Sequence, residues 1–336
     1  MRFAACLAGG AALIWLALPV ASGVTWHQLA PAASRVPAGW LVGLAALWLL
    51  GLLAHTITLT GALPGLAHRR ALMLSLTGSA VANVLPLGGA AGVALNYRMA
   101  RSWGHPGGAI GTYTVVTNIW DVLAKLLLPV AALPVVLLTA SAAGSTVVSA
   151  FAAGALVLVL LAAAGLATLS SPSAADRAGR CADRVLGSRL RGRSCRVALV
   201  RLQADTSLVI RTRWRRLSLG MVMYTALLFA LLLGCLTATG AGLGVTAVLA
   251  GFTVERLLTL AGLTPGGAGV VEVGLATTLL AFPGSPVGVA LGVLLYRALT
   301  FGLEIPVGGI TLAAWLWSRH HRPPAAPELA GQGVAA

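Results

Sequence analysis

Charged residues are scarce in this chain of 336 residues, and lysine is almost missing. Asp, Glu, Lys and Arg together make up 9% of the sequence, whereas 58% of it is apolar. Water-soluble domains usually carry about 25% charged residues, so this composition excludes a soluble protein. Lys125 is the single lysine and no GK[ST] phosphate loop is present, which excludes ATP hydrolysis through a P-loop.

Patterns that hold metals or disulfides are also missing. The four cysteines show no CxxC spacing and the six histidines show no HExxH motif, so neither a zinc site nor a disulfide framework is predicted. The longest polar stretch, residues 170–216, is too short to form a soluble catalytic domain with its own core. We therefore expect no metal and no cofactor, and any chemistry must take place in or beside the membrane.

Long apolar runs are what the chain has in abundance. Runs of about 20 apolar residues, the length needed to cross roughly 30 Å of hydrocarbon, recur from one end to the other. They predict an all-α polytopic membrane protein with about seven or eight transmembrane helices over residues 1–320, followed by a disordered tail at 321–336. The first run is predicted to be an uncleaved span, with a cleaved signal peptide as the alternative. The expected apolar spans cover residues 3–22, 39–61, 107–138, 145–169, 217–239, 244–262 and 285–317.

The positive charge is concentrated in one place. Twelve of the 23 basic residues lie between residues 176 and 216, together with only three acids. Arginine-rich loops accumulate on the cytoplasmic side, so residues 170–216 are predicted to be a cytoplasmic loop that joins halves 1–169 and 217–320, with the N-terminus on the same side. Apolar residues among the arginines also fit an amphipathic helix on an anionic lipid surface, with a solvated loop as the alternative. Nucleic-acid binding is not expected.

Two apolar segments are interrupted by proline and glycine. Residues 76–101 contain Asn83, Pro86 and a glycine cluster, and residues 263–282 contain Pro265 followed by three glycines. A continuous helix would lose a backbone hydrogen bond at each proline, and irregular backbone at membrane depth needs protein or a wet cavity around it. Both segments are predicted to be broken or re-entrant, and an ordinary kinked span is the alternative. If residues 76–96 dip in and return, the arginine-rich loop lies inside.

An internal repeat relates the two halves. Residues 105–131 align with residues 282–308 at a fixed offset of 177, and four of the seven matching positions are proline or glycine. Paired interrupted segments in two halves of a membrane protein point to a substrate site at the repeat interface. Close helix packing through the glycines is the alternative explanation.

Seven charged residues lie within or near apolar spans, where each costs about 2.5 to 3.5 kcal/mol unless it is paired or hydrated. The spacing of Asp121 and Lys125 permits an ion pair on one helix face, whereas Glu255 and Arg256 are expected near a membrane surface. The seven are Asp121, Lys125, Glu255, Arg256, Glu272, Arg297 and Glu304.

A polar cavity is one explanation for these charges. We hypothesise that Glu272, Arg297 and Asp121 line it together with the broken segments; a purely structural charge network is the alternative. The planar fork of an arginine suits a phosphate. The phosphodiester of a lipid headgroup is therefore the expected ligand.

The interrupted segments carry a family resemblance. The stretches NVLPLGGAAGVALNYRMARSWG, LTPGGAGVVEVG and LLYRALTFGLEIPVGG resemble the membrane domain of lysylphosphatidylglycerol synthases and related stand-alone flippase-like proteins, over roughly residues 5–318. The resemblance implies a protein that moves or handles lipids between leaflets. The soluble aminoacyl-transferase domain of those synthases has no counterpart here, so lysine transfer by this chain is not expected.

The expected function is that of a non-enzymatic lipid translocase of the cytoplasmic membrane, acting on a phospholipid or on a polyprenyl or glycolipid. Glu272 is the predicted proton carrier if movement is ion-coupled, and Arg297 and Arg98 are the predicted phosphate contacts. The full set of predicted site residues is Glu272, Arg297, Asp121, Arg98, Asn83, Pro86, Pro265, Gly266, Gly267 and Gly269.

Two other functions stay open at this point. The chain could be a scaffold whose arginine-rich loop recruits a separate lipid-modifying or glycosyl-transfer enzyme. It could also be a membrane-embedded enzyme with Glu272 as base, although no His, Cys or metal cluster lies nearby in the sequence.

Overall fold

The computed structural model describes residues 22–85, 88–139, 171–186, 194–261 and 265–320, and in addition Trp15, Pro19, Gly154, Val157 and Leu160. Every regular element within these residues is helical, so the predicted all-α class is confirmed. The helices are α1 (Trp26–Ala33), α2 (Ala38–Ala62), α3 (His68–Val84), α4 (Gly88–Ser102), α5 (Gly107–Thr139), α6 (Pro172–Leu186), α7 (Cys195–Ala238), α8 (Val245–Ala261), a 3-10 turn (Pro265–Gly267), α9 (Val270–Leu280), α10 (Pro286–Arg297), a π turn (Ala298–Gly302) and α11 (Glu304–His320).

Four described segments are long and apolar enough to cross a membrane. They are Ala38–Ala62, Gly107–Ala132, Cys195–Ala238 and the run Pro286–Arg319, which joins α10, the π turn and α11. The expected spans 3–22 and 145–169 lie largely outside the described residues, as does the tail 321–336. The total of seven or eight crossings therefore stays a prediction.

The first interrupted segment is a helical hairpin. α3 ends at Val84 and α4 begins at Gly88, and the two helices pack against each other along their length. A Cβ atom on Gly92 would lie 2.8 Å from the carbonyl oxygen of Gly78, so the glycines allow close antiparallel packing. The chain thus returns toward the end from which it entered, as a broken segment does. We call α3 and α4 the first hairpin; Pro86 lies outside the described residues.

The second interrupted segment is also a hairpin. α9 has 11 residues and spans about 16 Å, which is too short to cross roughly 30 Å of hydrocarbon. It packs antiparallel on α8, since Gly251 faces Leu275 and Leu279 while Gly274 faces Leu258. The 3-10 turn lies between the two helices. We call α8, this turn and α9 the second hairpin.

The two halves form an inverted repeat. α2 and α7 pack together antiparallel, because Gly61 at the end of α2 lies next to Leu217 while Gly234 near the end of α7 lies next to Leu44. Each is followed by a hairpin and then by a long helix. Each hairpin packs on the final helix of the other half, α3 on α11 and α8 on α5. Because the equivalent helices α2 and α7 run in opposite directions, the two hairpins enter from opposite ends of the molecule.

The arginine-rich region is helical where the structure describes it, which agrees with the amphipathic helix and not with the solvated loop that was its alternative. α6 packs along the first part of α7, and α7 has 44 residues. A helix of that length spans about 66 Å, twice the hydrocarbon thickness, so roughly half of it projects beyond the apolar layer. We call α6, Ser194 and residues 195–216 of α7 the arginine arm. The hydrophobic spacing that suggested an amphipathic helix was the better guide here.

Asp183 connects the two helices of the arm. Its carboxylate accepts hydrogen bonds from the backbone N–H of Cys195 at 2.6 Å and from the Ser194 hydroxyl at 2.8 Å. Amide groups at the start of a helix have no helical partners and favour a negative charge. The hydrogen bond from Ser194, followed by those from the backbone, holds the pKa of Asp183 below its usual range. An ionised Asp183 therefore caps α7.

Basic side chains gather at one end of the molecule. Arg70 lies over the Trp103 ring at 5.3 Å, and Arg216 of the arm donates to the Thr60 hydroxyl at 3.0 Å. Arg319 at the end of α11 lines a cleft together with Trp103. The end of α11 is therefore on the same side as the arm. The positive-inside rule predicts that this end is cytoplasmic.

Candidate functional site

The two hairpins meet tip to tip inside the molecule. The 3-10 turn of the second hairpin contacts α3, and a Cβ atom on Gly266 would lie 3.0 Å from the Asn83 side-chain oxygen. Asn83 stands 15 residues along α3 from its start, which is about 22 Å. The junction therefore lies deep in the apolar layer, at the interface of the two repeats.

A buried ion pair lies at this junction. Arg297 Nε donates to Glu272 Oε1 at 2.7 Å, and Arg297 Nη2 donates to the Gly266 carbonyl at 3.0 Å. The other carboxylate oxygen of Glu272 accepts from the Gly269 backbone N–H at 2.7 Å. Glu272 is fully buried and Arg297 is 8% exposed. A buried charge is tolerated when its partner and its remaining hydrogen bonds are in place, and here both are.

The local sequence explains how this turn forms. Gly266, Gly267 and Gly269 have φ values of 60°, 72° and 87°, a left-handed region that side chains with a Cβ disfavour. At Gly266 an added Cβ would also lie 2.2 Å from the Phe301 ring. The turn aims a carbonyl and an amide into the junction, where Arg297 and Glu272 use them. Pro265 opens the turn.

A second ion pair lies next to the first. Glu255 is fully buried and pairs with Arg256 beside it on α8. Arg256 also donates to the Tyr296 hydroxyl at 3.3 Å, and Tyr296 precedes Arg297 in α10. The expectation that Glu255 and Arg256 lie near a membrane surface is wrong, because Glu255 is 10 residues into α8, about 15 Å from its start.

Asp121 belongs to a separate cleft between α5, α7 and α8. Its carboxylate accepts from Lys125 Nζ at 2.8 Å, the ion pair that their spacing permits. Both residues line the cleft with Arg256, Tyr224 and Thr225. The structure pairs Arg297 with Glu272 and Asp121 with Lys125, so the expected approach of Asp121 to Arg297 is replaced by a shared cleft with Arg256.

Glu304 is a third buried carboxyl that sequence reasoning left outside the site. It follows the π turn and is 8% exposed. Trp48 and Ser79 lie beside its carboxyl group, and its charge interacts with Arg256 and Arg297. In the described part of the chain it forms no ion pair. An acid within the last apolar span was the available signal.

Other predicted features lie apart from the junction. Arg98 is exposed on α4, ten residues beyond Gly88 and so about 15 Å from the tip of the first hairpin. The polar cavity expected around Glu272, Arg297 and Asp121 does not enclose these residues together, since Glu272 has no exposed surface and Asp121 lies in a separate cleft. Among the described residues no group of three or more His, Cys, Asp or Glu side chains is placed to hold a metal.

The chain matches a known protein family. The family described as lysylphosphatidylglycerol synthase TM region matches residues 3–308, which include both hairpins and both buried ion pairs. The chain belongs to this family. No curated protein and no solved structure matches it. Family membership and the apolar helices make it a membrane protein connected with lipid handling.

Proposed function

We propose that the protein is a lipid translocase that carries a phosphate-bearing headgroup across the cytoplasmic membrane while the acyl chains stay in the bilayer. The observation that supports this most directly is the junction of two hairpins that enter from opposite ends and meet beside buried ion pairs. Broken helices that meet near the midplane of an inverted repeat are the usual setting of substrate sites in membrane transporters.

Arg297 is the proposed phosphate ligand. In the closed junction two of its donors are engaged, one by Glu272 and one by the Gly266 carbonyl. A phosphate offers the same planar fork of acceptors as a carboxylate, so a headgroup can exchange with Glu272 when the junction opens. Glu272 then acts as a stand-in anion that keeps Arg297 neutralised between headgroups.

The cleft between α5, α7 and α8 is the proposed route from the membrane. Asp121 is 45% exposed there, whereas Lys125 and Arg256 are each 15% exposed. The cleft thus joins a partly open ion pair to a buried one. For the phosphate of an entering headgroup the cleft offers the cations Lys125 and Arg256.

A vesicle assay tests the proposal. The purified chain is reconstituted with a fluorescent phospholipid, and transfer between leaflets is followed by adding a membrane-impermeant quencher. We expect faster transfer than in empty vesicles and loss of that gain in Arg297→Ala. Arg211→Ala, which removes an exposed arginine of the arm, is the matched control and should transfer lipid normally. The translocase proposal would be refuted if lipid transfer in vesicles with the wild-type protein were no faster than in empty vesicles.

A scaffold function is the second candidate, and the arginine arm favours it. The arm projects beyond the apolar layer and carries exposed arginines at positions 177, 180, 184 and 201, which suits an anionic leaflet or an acidic partner enzyme. Changing these four to glutamine should release a co-purifying lipid-modifying activity if the arm recruits such an enzyme. A bound activity unaffected by the four changes would refute recruitment through the arm.

A further inference from the structure

The buried charges at the junction do not balance. Three carboxyl groups are buried in this part of the molecule, those of Glu255, Glu272 and Glu304. Among the described residues two guanidinium groups accompany them, and each is already paired, Arg256 with Glu255 and Arg297 with Glu272. With all five groups ionised, the closed junction holds one uncompensated negative charge, and a second one would be strongly disfavoured in an apolar layer.

Glu304 is the group that carries the excess. Glu272 is fixed as a carboxylate by Arg297 and by the Gly269 amide. The groups that face Glu304 are Trp48 from α2, Ser79 from α3, Tyr224 from α7, Arg256 from α8 and Arg297 from α10. The first three are neutral, and both arginines are held by other acids. Trp48 and Ser79 can donate hydrogen bonds to a Glu304 carboxylate, so Glu304 can hold its charge in the closed junction without a cation of its own.

The backbone before Glu304 gives it a way to move. The Leu303 N–H donates to the Ala298 carbonyl at 2.7 Å, an i to i−5 bond that defines the π turn between Arg297 and Glu304. Single π turns within α-helices are often found at functional sites. Conversion of this turn to α-helix would rotate Glu304 by about 100° relative to Arg297, which is enough to change the surroundings of its carboxyl group.

We propose that Glu304, rather than Glu272, binds and releases the proton that accompanies lipid movement, one proton for each anionic headgroup. This inference rests on the proposed translocase function. When a phosphate enters and binds Arg297, it adds one negative charge to the junction. Glu304 is a carboxylate before the headgroup arrives. One of its oxygens then takes up a proton, which compensates the added charge, and the proton is released when the headgroup leaves on the other side. No bond other than this O–H forms or breaks.

A pH gradient across the vesicle membrane tests the coupling. With one proton per headgroup, the equilibrium ratio of an anionic fluorescent phospholipid between leaflets should shift about tenfold for each pH unit of gradient. Glu304→Gln should abolish this shift even after slow lipid transfer has run to completion, because the readout is an equilibrium ratio. Glu304→Asp, which keeps the carboxyl group, should retain it. The coupling is refuted if the wild type transfers lipid but its ratio between leaflets does not change with the pH gradient. It is also refuted if Glu304→Gln still shows the shift.

Infrared spectroscopy separates the proton site from lipid transport. We expect a protonated-carboxyl C=O band that titrates in the wild-type protein in detergent and is missing from Glu304→Gln, with Glu304→Asp as a check on folding. Lipid transfer that fails while this band titrates would refute the translocase and support the proton site. A wild-type protein without such a band, or a band that persists in Glu304→Gln, refutes the proton site.

Discussion

The two hairpins share one architecture but place their charges at opposite ends. The first hairpin has its charges at the base, with Arg69 and Arg70 where it enters and Arg101 where it leaves. Its tip offers the neutral side chain of Asn83. The second hairpin has an apolar base, and its charges lie toward the tip, at Glu255, Arg256 and Glu272.

The first hairpin therefore carries its charges near a membrane surface, and the second carries them in the interior. The base charges of the first hairpin lie at the end of the molecule where the arginine arm begins, and they suit a membrane surface. The second hairpin brings ionised groups into the interior, where they need partners from α10 and from its own turn. The repeat thus supplies two similar hairpins, and the second of them carries the buried ion-pairing groups.

The largest expected effect comes from breaking the buried pair at the second tip. Glu272→Leu leaves Arg297 buried without its anion, and we expect it to lower the free energy of unfolding by about 3 to 5 kcal/mol. The double variant Glu272→Leu/Arg297→Leu should recover most of this loss, because no unpaired charge is left. Thermal unfolding in detergent measures both. A double variant as unstable as the single one would show that the pair's packing, and not its charge, is what matters.

Replacing a glycine by alanine should have opposite effects on the free energy of unfolding at the two hairpin tips. Gly266→Ala forces a Cβ into a position with φ of 60° and 2.2 Å from Phe301, which should cost about 1 to 3 kcal/mol. Gly89, near the start of α4 in the first hairpin, has nothing within 4 Å of an added Cβ. Gly89→Ala should be neutral or stabilising by up to about 1 kcal/mol. Equal destabilisation in the two variants would contradict the structural difference between the tips.

The ion pair on α5 should matter less for stability than the pair on α10. Asp121 is 45% exposed in its pair with Lys125, so solvent screens the interaction. We expect Lys125→Ala to change the free energy of unfolding by less than about 1 kcal/mol. The same unfolding measurement compares it with Glu272→Leu. A loss as large as that of the buried pair would mean that the cleft is drier than its exposure indicates.

The smallest effect on stability is expected when the pH is lowered and Asp183 is protonated in the arginine arm, outside the repeat. Hydrogen bonds from Ser194 and from backbone amides lower the pKa of Asp183. A lowered folded pKa means that this stabilisation is present above the usual Asp pKa and is lost as the pH falls through the folded value. Hydrogen exchange at the amides of Cys195 and Arg196 should therefore show weaker protection below that pH. Asp183→Asn should lose this pH dependence, and protection that is the same in both proteins would refute the cap.

Local rules predicted the framework well. Pro86 and Pro265 marked both interruptions because a proline removes a helical hydrogen bond wherever it stands. The offset of 177 between Pro106 and Pro283 predicted the repeat, although a sequence match cannot reveal that equivalent helices run antiparallel. The arginine-rich region left two interpretations open, a solvated loop and an amphipathic helix, because arginine side chains suit both; the structure shows helices there, with α6 packed along α7.

The pairing of charges was harder to foresee. Glu272 and Arg297 are 25 residues apart and meet only because α9 ends and α10 returns past the tip. Asp121 looked equally suited to Arg297 because the two are nearly equivalent in the repeat, but Lys125 satisfies it locally. Glu304 was counted among the costly charges without a role, since only the three-dimensional arrangement reveals that both arginines are already engaged.

The antiparallel packing of α2 and α7 has a consequence for the direction in which a lipid could cross. A scaffold whose two halves are upside-down copies presents nearly the same helices to each leaflet, and so it has no built-in preference for inward or outward passage. If such a scaffold carries lipid, a net direction must come from a difference in lipid or ion concentration across the membrane, because the fixed side chains of a carrier cannot shift the equilibrium between the leaflets.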